Sequence, residues 1–242
     1  MTLFFALSCL VVGFLCGATS IGGILLIPAI QYSAGLSLPV AAGTALCSFF
    51  FTGMVGTWVH WRGGRLEKPL VIPQCAGALL FGCLGAFTKY IVGAVALNTI
   101  LALFIIAAGV ATLRPPHPMR SMQTEKGRAR YLFFVGSFAG FMAGLTGMGG
   151  PILSIPLMII MGFAPLTTVA AAQPFQLVAC FSGTVGNIIL DQINWQLALF
   201  SVAIQSAGLW TGVCLARRVD TSWLKVAISF LCVFTGIMML FR

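Results

Sequence analysis

Two stretches of apolar sequence are broken by the same glycine pattern, and no feature constrains the fold of this chain more. The first break reads Gly17-Ala18-Thr19-Ser20-Ile21-Gly22-Gly23, with Pro28 following. The second reads Gly144-Leu145-Thr146-Gly147-Met148-Gly149-Gly150, with Pro156 downstream. Superposing Gly17 on Gly144 places Thr19 on Thr146, Gly22 on Gly149 and Gly23 on Gly150. The likeness continues: Val40-Ala41-Ala42 returns as Val169-Ala170-Ala171, and Gly53 with Val55-Gly56 as Gly183 with Val185-Gly186. The pattern reads as a tandem duplication, residues 1–113 and 131–242 joined by a basic linker, 114–130, with each half interrupted at the same point.

What surrounds the breaks is membrane sequence. Residues are 60% hydrophobic and only 7% charged, too few charges to clothe a soluble domain of 242 residues. Apolar segments run over 2–16, 23–36, 38–59, 69–88 and 90–113, then over 131–143, 150–163, 165–190, 196–216 and 222–241. Most approach the roughly 20 residues that a helix needs to cross a bilayer. The opening segment has no basic region before it and carries a break that recurs later, so it is expected to belong to the fold rather than to a cleaved signal. The expected architecture is an all-α, multi-pass integral membrane protein in the plasma (inner) membrane, with four to five apolar segments per repeat.

The net charge of +9 is concentrated in three loops. They hold Arg62, Arg65 and Lys68; Arg114, Arg120, Lys126, Arg128 and Arg130; and Arg217, Arg218 and Lys225. Such clustering is what positive-inside sorting of cytoplasmic loops produces, and it displaces a nucleic-acid reading. If the first two segments of each half were one broken crossing, the halves would face the same way and Arg217-Arg218 would fall outside. If those segments form a helical hairpin, each half crosses an odd number of times and the halves are inverted. All three basic loops are then cytoplasmic, while Asp191 and both termini lie outside. The charges favour inversion.

The breaks themselves have a chemical use. Non-helical backbone at membrane depth is tolerated only where protein or a watery cavity satisfies it. Glycine permits a sharp turn and lets bare N–H groups approach a ligand. Helices starting at Gly23 and Gly150 would present unpaired N–H donors and about half a positive charge each, an anion site without a buried cation. Pro151 suits the first position of such a helix. Broken helices at matching places in two repeats point to a transporter's central substrate site. Close helix packing is the alternative role for these glycines.

A polar stripe follows each break. Thr44, Ser48 and Thr52 share one helix face, as do Gln173, Gln176, Cys180, Thr184 and Asn187. Polar side chains in apolar crossings are costly without partners, so they are expected to face the protein interior. Ligand binding and interhelical hydrogen bonding are both open to Gln173 and Gln176.

These residues resemble the TauE/SafE sulfite exporters, also called sulfur-anion (TSUP) transporters. The resemblance rests on Gly-x-x-x-Ile-Gly-Gly before Pro28, on Pro39-Val-Ala-Ala-Gly-Thr44 and on Gly56-Thr-Trp-Val-His-Trp-Arg-Gly-Gly64. It continues through the second copies, from Gly144 to Pro156 and from Val169 to Gly186. The family often has a third glycine in the motif, where this chain has Ile24 and Pro151. The resemblance implies movement of small sulfur-containing anions such as sulfite, thiosulfate or sulfoacetate, often as export. The substrate-binding candidates are Thr19, Gly22, Gly23, Thr44, Ser48, Thr146, Gly149, Gly150, Gln173 and Gln176.

Other classes fit less well. The acids Glu67, Glu125, Asp191 and Asp220 all read as loop or near-loop residues, so no membrane-depth acid and base are set for catalysis or ion coupling. Carriage of another small anion remains the nearest alternative. A metal or cation carrier would need clustered soft ligands, whereas His60 and His117 sit at loop edges and the eight cysteines are scattered. His60, between Trp58 and Trp61, reads as a member of an interfacial aromatic belt or, less simply, as a proton-coupling group. No catalytic residue, metal site or cofactor is expected. The lipid bilayer and a small anion are the partners, and a homo-oligomer is compatible with the sequence.

Overall fold

The computed structural model describes residues 2–88, 94–114, 124–146, 150–189 and 191–240. Those residues form ten α-helices and no strand. They are α1 (Thr2–Thr19), α2 (Gly23–Ala34), α3 (Leu38–Arg62), α4 (Lys68–Thr88), α5 (Ala94–Thr112), α6 (Glu125–Thr146), α7 (Pro151–Ile160), α8 (Pro165–Ile189), α9 (Trp195–Ala216) and α10 (Thr221–Leu240). Each apolar segment of the sequence thus becomes one helix. The start of α6 lies inside the stretch 114–130. There the Thr124 hydroxyl accepts a bond from the Gly127 N–H at 3.2 Å, and Glu125 stands in the first turn, where the helix dipole favours an acid.

The molecule exposes apolar side chains, and its chiefly hydrophobic interior also holds polar ones. Leu7, Val11, Leu80, Phe134, Leu199 and Phe230 are exposed, while Thr44, Ser48, Gln74, Gln173 and Gln205 are fully buried. A monomer in water would not present so much apolar surface; a bilayer accepts it. Among the described residues three helices are long and apolar enough to span a membrane, over Pro39–Arg62, Trp195–Ala216 and Thr221–Leu240. This is a membrane protein.

Small residues let the helices approach closely, and their contacts give the chain directions. Gly13 packs on the Gln205 backbone and Gly17 on Leu209, so α1 and α9 run parallel. Gly136 on Gln74 and Gly140 on Ala78 make α6 parallel to α4. The Asn194 N–H donates to the Thr44 hydroxyl, and the Ser48 hydroxyl lies 3.4 Å from the Ala198 carbonyl, so α3 also runs parallel to α9. Helices α1 and α3 therefore run the same way, with the shorter α2 between them. Helix α3 is antiparallel to α8, with Gly56 beside Gln173 and Gly43 beside Asn187. So too is α5 to α10, with Gly109 beside Ser229 and Ile106 beside Gly236.

The close approaches recur at a fixed interval. The shift that carries Gly17 onto Gly144 also carries Gly85 onto Gly212 and Phe14 onto Phe141. A Cβ at Gly212 would strike the Phe14 carbonyl oxygen, and one at Gly85 the Phe141 carbonyl oxygen. Since the obstacle is backbone, the helices themselves would have to part. Gly85→Leu and Gly212→Leu should each lower stability by about 1–3 kcal/mol or more, read as a fall in melting temperature in detergent. The lipid-facing Phe134→Leu should leave the melt unchanged. A wild-type melt for either glycine variant would contradict this packing.

Candidate functional site

The first break turns on a serine. Helix α1 ends at Thr19, and Ser20 takes the left-handed conformation, φ 56°, which is uncommon for a residue other than glycine. Its N–H closes the turn on the Cys16 carbonyl at 2.9 Å. The Ser20 hydroxyl donates to the Val169 carbonyl at 3.1 Å and accepts from the Gln173 amide at 2.8 Å. That amide also donates to the Cys16 carbonyl at 2.9 Å. Side-chain bonds from α8 thereby hold a backbone that an L-residue rarely adopts. Thr19 serves the break locally: its hydroxyl donates to the Leu15 carbonyl at 2.9 Å and accepts the Ile21 N–H at 3.2 Å.

Glycine is needed at the breaks for approach. Gly22 has φ −158°, an extended backbone open to any residue, but a Cβ there would lie 2.9 Å from both the Cys16 sulfur and the Val12 carbonyl oxygen. Gly150 is right-handed, and a Cβ on it would collide with the Phe175 ring. Pro151 takes the start of α7, as expected. Neither α2 nor α7 has a side-chain cap at its N-terminus. Gly149 and the Thr146 side chain lie outside the described residues.

One turn of α8 meets both breaks. Gln173 binds the first through Ser20 and Cys16, and Phe175 abuts Gly150 at the second. Pro174 lies between them and supplies no N–H, so the Ala170 carbonyl has no helical donor. Gln176 donates to the Phe49 carbonyl of α3 at 3.3 Å. Orientation of the Gln173 amide is fixed chemically, because a carbonyl such as that of Cys16 can only accept. Its Oε1 faces Gly56 with no partner, although Gln173 is fully buried. The site thus combines uncapped helix starts with one open acceptor, which water or a proton-bearing ligand would satisfy.

The other candidates stand apart. Thr44 donates to the Val40 carbonyl at 2.7 Å and accepts the Asn194 N–H at 3.0 Å, while Ser48 donates to the Thr44 carbonyl at 2.9 Å. Both hydroxyls sit where α3 meets the start of α9, about two to three turns of helix from Gly56. The structure brings Thr19, Gly22, Gly150, Gln173 and Gln176 about the α8 turn, with Gly23 opening α2. It also exposes groups that the sequence reading passed over. Gln205 is fully buried with neither amide atom bonded, as is the oxygen of Gln74. A glutamine in an apolar crossing was the available signal, and it was applied only beside the repeated motif. His60 is 1% exposed with neither ring nitrogen bonded, so it is not an interfacial belt residue.

Comparison with known proteins agrees with this architecture. Residues 5–239 match the sulfite exporter TauE/SafE family, and the chain belongs to it. Among its relatives is the probable membrane transporter protein YunE of Bacillus subtilis, 21% identical, the alignment covering 91% of this chain and 90% of YunE. The probable membrane transporter protein YjnA of the same organism is 26% identical, over 94% and 95% of the two chains. A probable membrane transporter protein of Methanocaldococcus jannaschii is 23% identical, over 83% and 78%.

Gln173 and Ser20 should be energetically coupled. Ser20→Ala and Gln173→Leu each leave a buried group without its partner, at a cost of about 1–3 kcal/mol. The double variant should fall short of the sum by at least about 0.5 kcal/mol in a chemical unfolding cycle. Strict additivity would contradict the bridge.

Proposed function

We propose, with membership of the TauE/SafE family as the premise, that this protein transports small sulfur-containing anions such as sulfite, thiosulfate or sulfoacetate across the plasma membrane. The observation that carries the reading is the meeting of two helix breaks at one turn of α8. An anion bound there would take hydrogen bonds from the first N–H groups of α2 and, since Pro151 has none, from those of Gly150 and Ile152 at α7, in the favourable field of two helix N-termini. Thr19, Gly22, Gly23, Thr146, Gly149, Gly150, Gln173 and Gln176 frame it in this reading. Thr44 and Ser48 steady α3 against α9 around it.

The reading includes two inverted repeats, 1–113 and 131–242, each opening with a hairpin. The antiparallel pairing of the counterpart helices α3 with α8, and of α5 with α10, supports inversion, as does the single shift relating α1–α9 contacts to α4–α6 contacts. Rocking of one half against the other would expose the α8 turn alternately to the two sides. In this topology the basic ends of α3 and α9 face the cytoplasm, in keeping with the charge rule.

Flux into liposomes holding the purified protein tests the proposal, with labelled sulfite, thiosulfate, sulfate and chloride compared. The expected result is selective flux of a sulfur anion, reduced at least about tenfold by Gln173→Ala, equivalent to about 1.4 kcal/mol at the barrier. Gly149→Leu should abolish flux in protein that still folds. Equal movement of chloride would make this a general anion carrier. No flux of any sulfur anion from folded protein, under proton or sodium gradients, would overturn the reading.

A further inference from the structure

Where α3 and α9 end side by side, a cavity of about 190 Å³ is lined by residues including Trp58, Arg62, Trp210, Cys214 and Arg217. The Arg62 guanidinium lies over the Trp58 ring, 4.4 Å from its centroid. Face-on stacking leaves the N–H edges of the guanidinium free for a planar fork on an anion. Arg217 lies against Gly63, its Nη2 only 3.0 Å from where a Cβ would stand, so a larger residue would crowd it.

Nothing in the described protein neutralises these cations. Among the described residues no carboxylate pairs with Arg62, Arg65 or Arg217. The buried Nη1 of Arg65 has no hydrogen-bond partner, nor has either nitrogen of His60. The Arg65 backbone N–H donates to the His60 carbonyl at 3.1 Å. Two exposed arginines, Arg62 and Arg217, thus line one opening. Unpaired guanidiniums facing a shared cavity offer charge-assisted donors that an oxyanion can bridge.

We propose that the α3–α9 cavity is a docking site for a tetrahedral oxyanion, held by Arg62 and Arg217. A free oxyanion such as sulfate and the phosphate of an anionic lipid headgroup share the required chemistry. The site is distinct from the hairpin breaks and does not rest on the transport reading, so a failure of flux leaves it standing.

Cys214 gives the test its readout, being an exposed thiol in the cavity wall. Its modification by a negatively charged methanethiosulfonate reagent is followed by peptide-resolved mass spectrometry on the full chain in neutral detergent. Saturating sulfate should slow the reaction about tenfold relative to sodium chloride at equal ionic strength. Arg62→Gln and Arg217→Gln should each raise the sulfate concentration needed about tenfold, the loss of one charge-assisted contact. Arg218→Gln, the same change of net charge outside the cavity wall, should leave that concentration unchanged, and melting curves confirm that each variant folds.

Lipid nanodiscs separate the two sources. Protection by phosphatidylglycerol discs, but not by phosphatidylcholine discs or by free sulfate, assigns the same cradle to a headgroup. Protection by sulfate in phosphatidylcholine discs assigns it to a free oxyanion. If chloride protects as well as sulfate and the two lipids behave alike, the proposal is wrong. It is also wrong if Arg218→Gln acts as strongly as Arg217→Gln.

Discussion

Backbone that leaves a helix inside a bilayer must find its hydrogen bonds within the protein, since hydrocarbon offers none. Two interruptions at membrane depth therefore impose a heavy demand, and one turn of α8 meets much of it. Gln173 supplies a donor to the Cys16 carbonyl and anchors Ser20, whose hydroxyl then reaches Val169. Phe175 seals Gly150 from the other side. The remaining groups, the first amides of α2 and the Ile152 N–H that follows Pro151 in α7, are those that a helix leaves open at its start. A structure that must satisfy its own breaks thus keeps one kind of group in reserve, and that kind binds anions.

Prolines carry the same logic into the helices beyond the breaks. Pro156 removes the N–H that would have met the Ile152 carbonyl, and the Cys232 thiol approaches that oxygen at 4.0 Å. Fully buried, Cys232 acts as a weak donor from a neighbouring helix. Helix packing is likewise organised around what is missing. Where Gly13, Gly17, Gly208 and Gly212 bring α1 onto α9, any side chain would meet backbone. This tight pairing holds α1 against α9, as Gly77, Gly85, Gly136 and Gly140 hold α6 against α4.

Much of this was legible in the sequence because membrane helices announce themselves by composition, and breaks by glycine. The ten apolar segments became ten helices, and Pro151 marked the start of α7. The hairpin rests on loop charges, and the shared direction of α1, α3 and α9 is in keeping with it. Partnership was not legible. Thr44 and Ser48 share a face, but only packing shows that the face meets the start of α9. The turn at Ser20 escaped notice because a left-handed serine is stabilised by Gln173, more than 150 residues away in sequence. His60 looked interfacial beside two tryptophans, yet it turns inward to the side opposite the exposed Trp58. Periodicity reports a face; it does not report what that face touches.

The account turns on whether an anion sits at the α8 turn. The most direct measurement is an experimental structure of the protein equilibrated with selenate, using the anomalous signal of selenium to place the ion. The predicted result is a selenium peak whose oxygens lie about 3 Å from the first amides of α2 and from the Gly150 or Ile152 N–H at the start of α7, beside Gln173. A peak confined to the α3–α9 cavity, or none in protein shown to transport the ion, would contradict the central claim.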